Sequence, residues 1–128
     1  MITQFLIDDI TKFSTNQSEL YGVPSLFQLN LSKEKGQLLA QELKANKEIV
    51  LLGTLLMDCM LGPTFKAGKM QEHVSMSISK ADELLSKDSE ITRDEKINIL
   101  KCVEQHHGTD KFFSLEGYES KKLYHHLV

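Results

Sequence analysis

The stretch IVLLGTLLMDCMLG, residues 49–62, is the most apolar run of the chain and decides its fold. It follows Asn46, a good N-cap residue, and ends at Gly62-Pro63, so it predicts a buried central helix. Asp58 is its single charged residue and lies close to its C-terminal end. A carboxylate in an apolar helix is costly unless it is paired or bound to a cation. Asp58 therefore needs a partner elsewhere in the chain.

The composition is that of an ordinary globular protein. The chain has 128 residues, a hydrophobic fraction of 41%, a charged fraction of 26% and a net charge of −3. This length is enough for one core without disulfides, so we predict a single domain over residues 1–128. Lysine and arginine are interspersed with acidic residues and form no basic face, which argues against a nucleic-acid partner.

The cysteines and the N-terminus bear on the compartment. Cys59 and Cys102 fall in separate predicted helices, and their spacing fits neither a disulfide framework nor a zinc knuckle, so we expect reduced, buried thiols. The N-terminus lacks the basic and long apolar regions of a signal peptide. Residues 49–61 fall short of the roughly 20 apolar residues of a membrane span. We therefore expect a cytoplasmic protein with no membrane partner.

Apolar residues recur at helical spacing along most of the chain, and no stretch alternates convincingly with the period of a strand. The pattern predicts an all-α fold, a single-domain bundle of five to six helices. The predicted helices cover residues 2–13, about 32–44, the central run, about 70–87, 92–107 before Gly108, and about 115–127; the state of residues 25–30 is left open. The same pattern predicts apolar faces. The face consists of Ile2, Phe5, Leu6, Ile10 and Phe13 in the first helix, and of Leu38, Leu39 and Leu43 in the helix at about 32–44. It consists of Val74, Ile78, Ala81 and Leu85 in the helix at about 70–87, and of Ile97, Leu100 and Val103 in the helix that starts at 92. Thr92 and Glu95 form a capping box.

Four side chains with metal-ligand chemistry lie at predicted helix ends. Asp58 ends the central helix, His73 begins the next one, and His106 and His107 close the one after that. Short loops make consecutive helices antiparallel, so all four are expected at one end of the bundle. Imidazole and carboxylate ligands suit Mn, Fe, Co, Ni or Zn rather than Ca.

Each of these residues also has an ordinary structural role. Asp58 is equally compatible with pairing to a nearby lysine or hydroxyl group. His73 is compatible with a surface or capping position at a helix start. His106 and His107 are compatible with residues that complement the dipole at a helix C-terminus.

Three motifs in this order, LLMD at 55–58, EHV at 72–74 and ILKCVEQHHG at 99–108, resemble the HD-domain metal-dependent phosphohydrolase superfamily. The resemblance covers about residues 26–123. It implies an all-α bundle and metal-assisted hydrolysis of phosphate esters, often nucleotides. It also implies that Asp58 corresponds to the family's bridging aspartate, and that His73, His106 and His107 complete the second metal's ligands.

The sequence departs from the family pattern at the first metal. Met57 stands where the family has the histidine of its His–Asp pair, residues 31–35 contain no histidine, and no aspartate follows Asp110. The resemblance thus implies a reduced site for one divalent transition metal, and a small phosphorylated ligand. Lys66 or Lys69 is a candidate to hold the phosphate, although solvated loop lysines are the simpler interpretation.

The alternative to a working hydrolase is a catalytically inactive HD-like module that binds or interacts through the same fold. Losing several ligands while keeping the helices fits such a history. Phe112, Phe113 and Leu115 would then be candidates for a partner surface, or simply for packing of the last helix on the core. The sequence does not determine the oligomeric state.

Overall fold

The structure, a computed structural model, describes residues 1–105 and is helical through most of that range. The described residues contain no strand, and the prediction of an all-α fold is confirmed. The six α-helices are α1 (Gln4–Tyr21), α2 (Leu26–Leu43), α3 (Lys47–Leu56), α4 (Leu61–Lys66), α5 (His73–Ser86) and α6 (Arg93–Gln105), with a short 3-10 helix at Met70–Glu72 before α5.

Helix α3 lies at the centre of the bundle and packs against α1, α2 and α6. Its predicted N-cap is confirmed, because the Asn46 side chain accepts hydrogen bonds from the backbone N–H groups of Glu48 and Ile49, both at 3.0 Å. Seven of its ten residues are buried, which explains why this stretch is the most apolar of the sequence. The core is completed by side chains from the other helices, chiefly Leu6, Ile10, Leu29, Ala81, Leu85, Ile99, Cys102 and Val103.

The central run is not one helix, and the prediction that it ends at Gly62-Pro63 is wrong. Helix α3 ends at Leu56, residues 57–60 form a turn, and α4 contains both Gly62 and Pro63. Pro63 is the third residue of α4, in the first turn, where an N–H has no partner within the helix. Gly62 lies against the side chain of Tyr21 with no room for a Cβ atom, so it serves close packing with α1.

Helix α1 has 18 residues and extends eight residues beyond the end that the sequence pattern predicts. The predicted end before residues 14–16 is wrong, because Ser14 is buried in mid-helix and its hydroxyl donates to the Leu55 carbonyl at 2.7 Å. The helix ends at Gly22, whose φ of 73° is the left-handed conformation of a C-terminal cap. The predicted face of α1 is confirmed at Leu6 and Ile10, whereas Phe5 is exposed; Ile2 is buried but precedes the helix, which begins at Gln4.

Helix α2 begins at Leu26, capped by the Ser25 side chain, so the predicted start at about residue 32 is wrong and the open stretch 25–30 is the first part of this helix. Its predicted apolar face is wrong at Leu38, which is 63% exposed. The buried residues are instead Leu29, Gly36 and Ala40, because two small residues let α2 approach α3 closely.

The predicted helix 70–87 is divided into the 3-10 helix at 70–72 and α5. Its predicted apolar face is confirmed, because Ala81 and Leu85 are fully buried and Val74 and Ile78 are half-buried. The Thr92–Glu95 capping box is confirmed by its two reciprocal hydrogen bonds, at 2.9 and 3.1 Å. On α6, Val103 is buried as predicted. Ile99 and Cys102 are equally buried although the predicted stripe omitted them, while Ile97 and Leu100 are half-buried.

One stretch, Lys47–Lys66, has the length and composition of a membrane-crossing helix, with a mean hydropathy of 1.4. Core helices of soluble proteins share this property, and 56% of the stretch is buried within the fold. The expectation of a cytoplasmic protein without a membrane partner stays a prediction.

Candidate functional site

Asp58 and His73 are brought together as the sequence predicts. The Nδ1 atom of His73 lies 3.9 Å from the Oδ1 atom of Asp58, and the two side chains are 14% and 24% exposed, respectively. His73 is the first residue of α5, as expected. Asp58, however, lies in the turn of residues 57–60 and not in the last turn of a helix, which corrects its predicted setting.

The turn that carries Asp58 is held by side chains from two other helices. Gln17 of α1 donates to the Cys59 carbonyl at 3.2 Å, and the Met60 N–H donates to the Ser77 hydroxyl of α5 at 3.1 Å. Within the turn, the N–H of Leu61 donates to the Asp58 carbonyl at 3.0 Å. These bonds fix the backbone at the point where the carboxylate emerges, so the position of Asp58 relative to α5 is set by tertiary contacts.

The Asp58–His73 pair has the donor chemistry of a transition-metal site. It offers one carboxylate oxygen and one imidazole nitrogen, which suit Zn, Mn, Fe, Co or Ni. The ligand atoms of a tetrahedral centre lie about 3.4 Å apart, so the 3.9 Å separation requires only a small closure of the two side chains. Among residues 1–105, no group of three or more His, Cys, Asp and Glu side chains is assembled for a metal. The pair alone is therefore an incomplete ligand set.

The two remaining predicted ligands, His106 and His107, lie outside the described residues, as do the predicted stop at Gly108 and the predicted helix at 115–127. The direction of α6 is nevertheless clear. Lys96 near its start pairs with Asp82 of α5 at 3.2 Å, so α6 runs antiparallel to α5 and returns towards the end where α5 begins. That end carries His73.

Cys59, which follows Asp58, is not suited to complete the site. Burial raises the pKa of its thiol to about 12, and its Sγ donates to the Ser77 carbonyl at 3.8 Å. A thiol binds metals as the thiolate, which such a pKa disfavours. Cys59 lies in the turn and Cys102 in α6. Both are buried and neither forms a disulfide, so the predicted reduced state agrees with the structure and only the helical setting of Cys59 is corrected.

A cavity of about 50 Å³ borders Asp58 and is lined by α1, α2, the end of α3 and the turn. Met57 and Ser32 both line it. The HD resemblance expects one histidine at position 57 and another within residues 31–35, so the cavity beside Asp58 is lined by Met57 at the first position and by Ser32 from the second region. Ser14, Gln17 and Ser18 of α1 also line it, and sequence reasoning missed them. The signal available was the spacing of Ser14 and Ser18, one helical turn apart on one face.

The two candidate phosphate ligands are both exposed: Lys66 is the last residue of α4, and Lys69 lies three residues after it. Their exposure agrees with solvated lysines, and a role towards phosphate stays a prediction. The alternative partner surface at Phe112, Phe113 and Leu115 lies outside the described residues.

In comparisons with protein-family models, with curated proteins and with solved structures, no match to this chain was found.

Proposed function

We propose that this chain is a metal-binding helical protein of the HD type, with one divalent transition metal held by Asp58, His73, His106 and His107. The observation that carries the proposal is the approach of Asp58 to His73, at 3.9 Å, across the turn and the short α4 that separate them. Partial burial of both side chains also favours a metal, because two half-buried polar groups gain from a shared cation. The course of α6 supports the inclusion of His106 and His107.

A metal bound there would lower the pKa of a coordinated water molecule and polarise a phosphoryl oxygen. The chain's own residues would contribute orientation: the turn at 57–60 holds the Asp58 backbone, and the start of α5 holds His73. On this basis we extend the proposal to hydrolysis of a small phosphorylated ligand, a nucleotide or another phosphate ester.

The second candidate function is a catalytically inactive binding module. It is favoured by Met57, which lines the cavity beside Asp58 at the position where the HD resemblance expects a histidine, and by the absence of histidine from residues 31–35. On this proposal the protein keeps the helical fold and the cavity and binds a ligand there without hydrolysing it.

The first test is the metal content of the full chain after incubation with Mn, Fe, Co, Ni or Zn and removal of unbound ions. We expect about one equivalent of one of these metals, and its loss in Asp58→Asn, His73→Ala and His106→Ala. The matched control is Asp9→Asn, a carboxylate exposed on α1, which should retain the metal. Absence of metal in the wild-type protein, or full retention in Asp58→Asn, would refute the site.

The second test separates the two candidate functions. The metal-loaded chain is assayed with a panel of nucleotides and simple phosphate esters. Turnover that disappears in Asp58→Asn supports the hydrolase. Metal binding without turnover on any of these substrates supports the binding module.

A further inference from the structure

We infer that the cavity beside Asp58 binds the primary ammonium group of a small ligand. The inference goes beyond the metal proposal, because it concerns the side of the molecule formed by α1 and α2 and depends on other atoms. It is carried by one buried hydroxyl group, by the hydrogen bonds already made around the cavity, and by the size of the space.

The hydroxyl group is that of Ser18 on α1. Ser18 is 3% exposed and lines the cavity, yet its Oγ atom has no hydrogen-bond partner among residues 1–105. Buried hydroxyl groups are almost always hydrogen-bonded, because leaving one unpaired costs stability. A ligand that bonds to the Ser18 hydroxyl group would supply the missing partner.

The other deeply placed polar groups of the cavity present acceptors. The Ser14 hydroxyl donates its one hydrogen to the Leu55 carbonyl at 2.7 Å, and the Thr54 hydroxyl donates to the Val50 carbonyl at 2.7 Å. Both oxygens therefore have only lone pairs left. The Gln17 amide nitrogen is engaged with the Cys59 carbonyl, which leaves its oxygen as an acceptor.

The charge of the cavity points the same way. Asp58 is the one charged residue among the described residues that line it, and no Lys, Arg or His is among them. A phosphate group would meet lone pairs and a carboxylate, whereas an ammonium group has three N–H donors and a positive charge. Gln28 and Ser32, which also line the cavity, are able to donate or accept and do not alter this preference.

The size restricts the ligand to a small group. About 10–15 Å³ of such space holds one water molecule, so about 50 Å³ holds a group of a few heavy atoms. A CH₂–NH₃⁺ end fits this space, with Leu29 and Leu55 as apolar wall for the methylene group. A quaternary ammonium group has no N–H to donate and is bulkier.

The test is an NMR titration of the ¹⁵N-labelled full chain with methylammonium chloride, at neutral pH and constant ionic strength. A chelator is present, so that the result does not depend on whether a metal binds Asp58. We expect saturable shifts of backbone amide signals at the cavity residues of α1 and α2. Tetramethylammonium, with the same charge and no N–H, and inorganic phosphate should give none.

Two variants and a control make the assignment specific. Ser18→Ala should weaken methylammonium binding about 10-fold, since it removes a hydrogen bond to a charged group. Without ligand it should melt no lower than the wild type, because it removes an unpaired buried hydroxyl; a purely structural serine would lower the melting temperature. Asp58→Asn should weaken binding at least as much. Ser79→Ala, at an exposed serine of α5, should change neither.

The inference is overturned by any of three results. The first is the absence of saturable shifts, which would mean that the cavity holds water only. The second is an equal response to tetramethylammonium or to phosphate. The third is undiminished methylammonium binding in both Ser18→Ala and Asp58→Asn.

Discussion

The contact between Gly53 of α3 and Cys102 of α6 is a point at which a single added methyl group should disturb the packing of the central helix. A Cβ atom built on Gly53 would lie 2.5 Å from the Cβ of Cys102 and 3.2 Å from its Sγ. The nearer atom is attached directly to the α6 backbone, so no side-chain rotation removes it. To reach an ordinary contact of 3.4 Å, α6 has to move away from α3 by about 0.9 Å.

The expected cost of Gly53→Ala follows from two opposing terms. Overpacking a well-packed core costs about 1–3 kcal/mol, and the contact here belongs in the upper part of that range because the backbone itself must shift. Replacing glycine by alanine within a helix returns about 0.5–1 kcal/mol. We therefore expect a net loss of about 2 kcal/mol, which corresponds to a fall in melting temperature of roughly 5–10 °C for a domain of this size.

The assay is urea unfolding followed by circular dichroism, on the wild type, Gly53→Ala and the matched control Gly36→Ala. At Gly36 the added Cβ would lie 3.0 Å from the Thr54 Oγ1 and 3.5 Å from a Val50 methyl group, so the control should change stability by less than about 1 kcal/mol. Cys102→Gly removes the obstructing Cβ, and the double variant with Gly53→Ala should be more stable than the sum of the two single changes predicts. A Gly53→Ala protein as stable as the wild type would refute the packing of α3 on α6 described above.

The remaining predictions concern Cys59 and Glu95. Burial raises the pKa of the Cys59 thiol from 9.0 to about 12, so at a given pH its thiolate should be roughly 1000-fold scarcer than that of an exposed cysteine. Iodoacetamide at pH 8 should therefore label Cys59 only in denaturant, and mass spectrometry detects the label. Native labelling at the rate of a free thiol would contradict this burial. The Thr92 N–H, and after it the N-terminal ammonium group, hold the pKa of Glu95 below its usual 4.5. Because the folded pKa is the lower one, the stability that Glu95 contributes is present above about pH 5 and is lost as the pH falls through the folded value. The difference in unfolding free energy between wild type and Glu95→Gln should therefore shrink from pH 6 to about pH 3, and a constant difference would contradict it.

Local signals in the sequence were sufficient for the starts of α3 and α6. Asn46 and the Thr92–Glu95 box were identifiable because a capping side chain bonds to backbone only two or three residues away. The approach of Asp58 to His73 was expected from antiparallel packing of two consecutive helices. The structure reaches it by another route, since α4 and the 3-10 helix lie between the turn that carries Asp58 and the start of α5.

The features that sequence reasoning missed depend on contacts between distant residues. The run at 49–62 bends at 57–60 because Gln17 and Ser77 bond to its backbone, and neither is near it in the chain. Polar residues from position 14 onward predicted the end of α1, yet Ser14 continues the helix because the Leu55 carbonyl accepts its proton. Leu38 looked like core, but the small residues Gly36 and Ala40 determine which side of α2 meets α3.

The position of Asp58 in a turn bears on how the two proposed sites would act on each other. Its carboxylate lies 3.9 Å from His73, and Asp58 is also one of the residues that line the cavity beside Ser18. If both proposals hold, a metal on the His73 side withdraws negative charge from the cavity and weakens the binding of an ammonium group there. By thermodynamic reciprocity, an ammonium ligand would weaken metal binding by the same factor. The absence of the histidines that the HD resemblance expects at position 57 and within residues 31–35 would shift this balance towards the cavity, because it leaves fewer nitrogen ligands for a metal, while Ser32, which lines the cavity, can accept a hydrogen bond from a cationic donor.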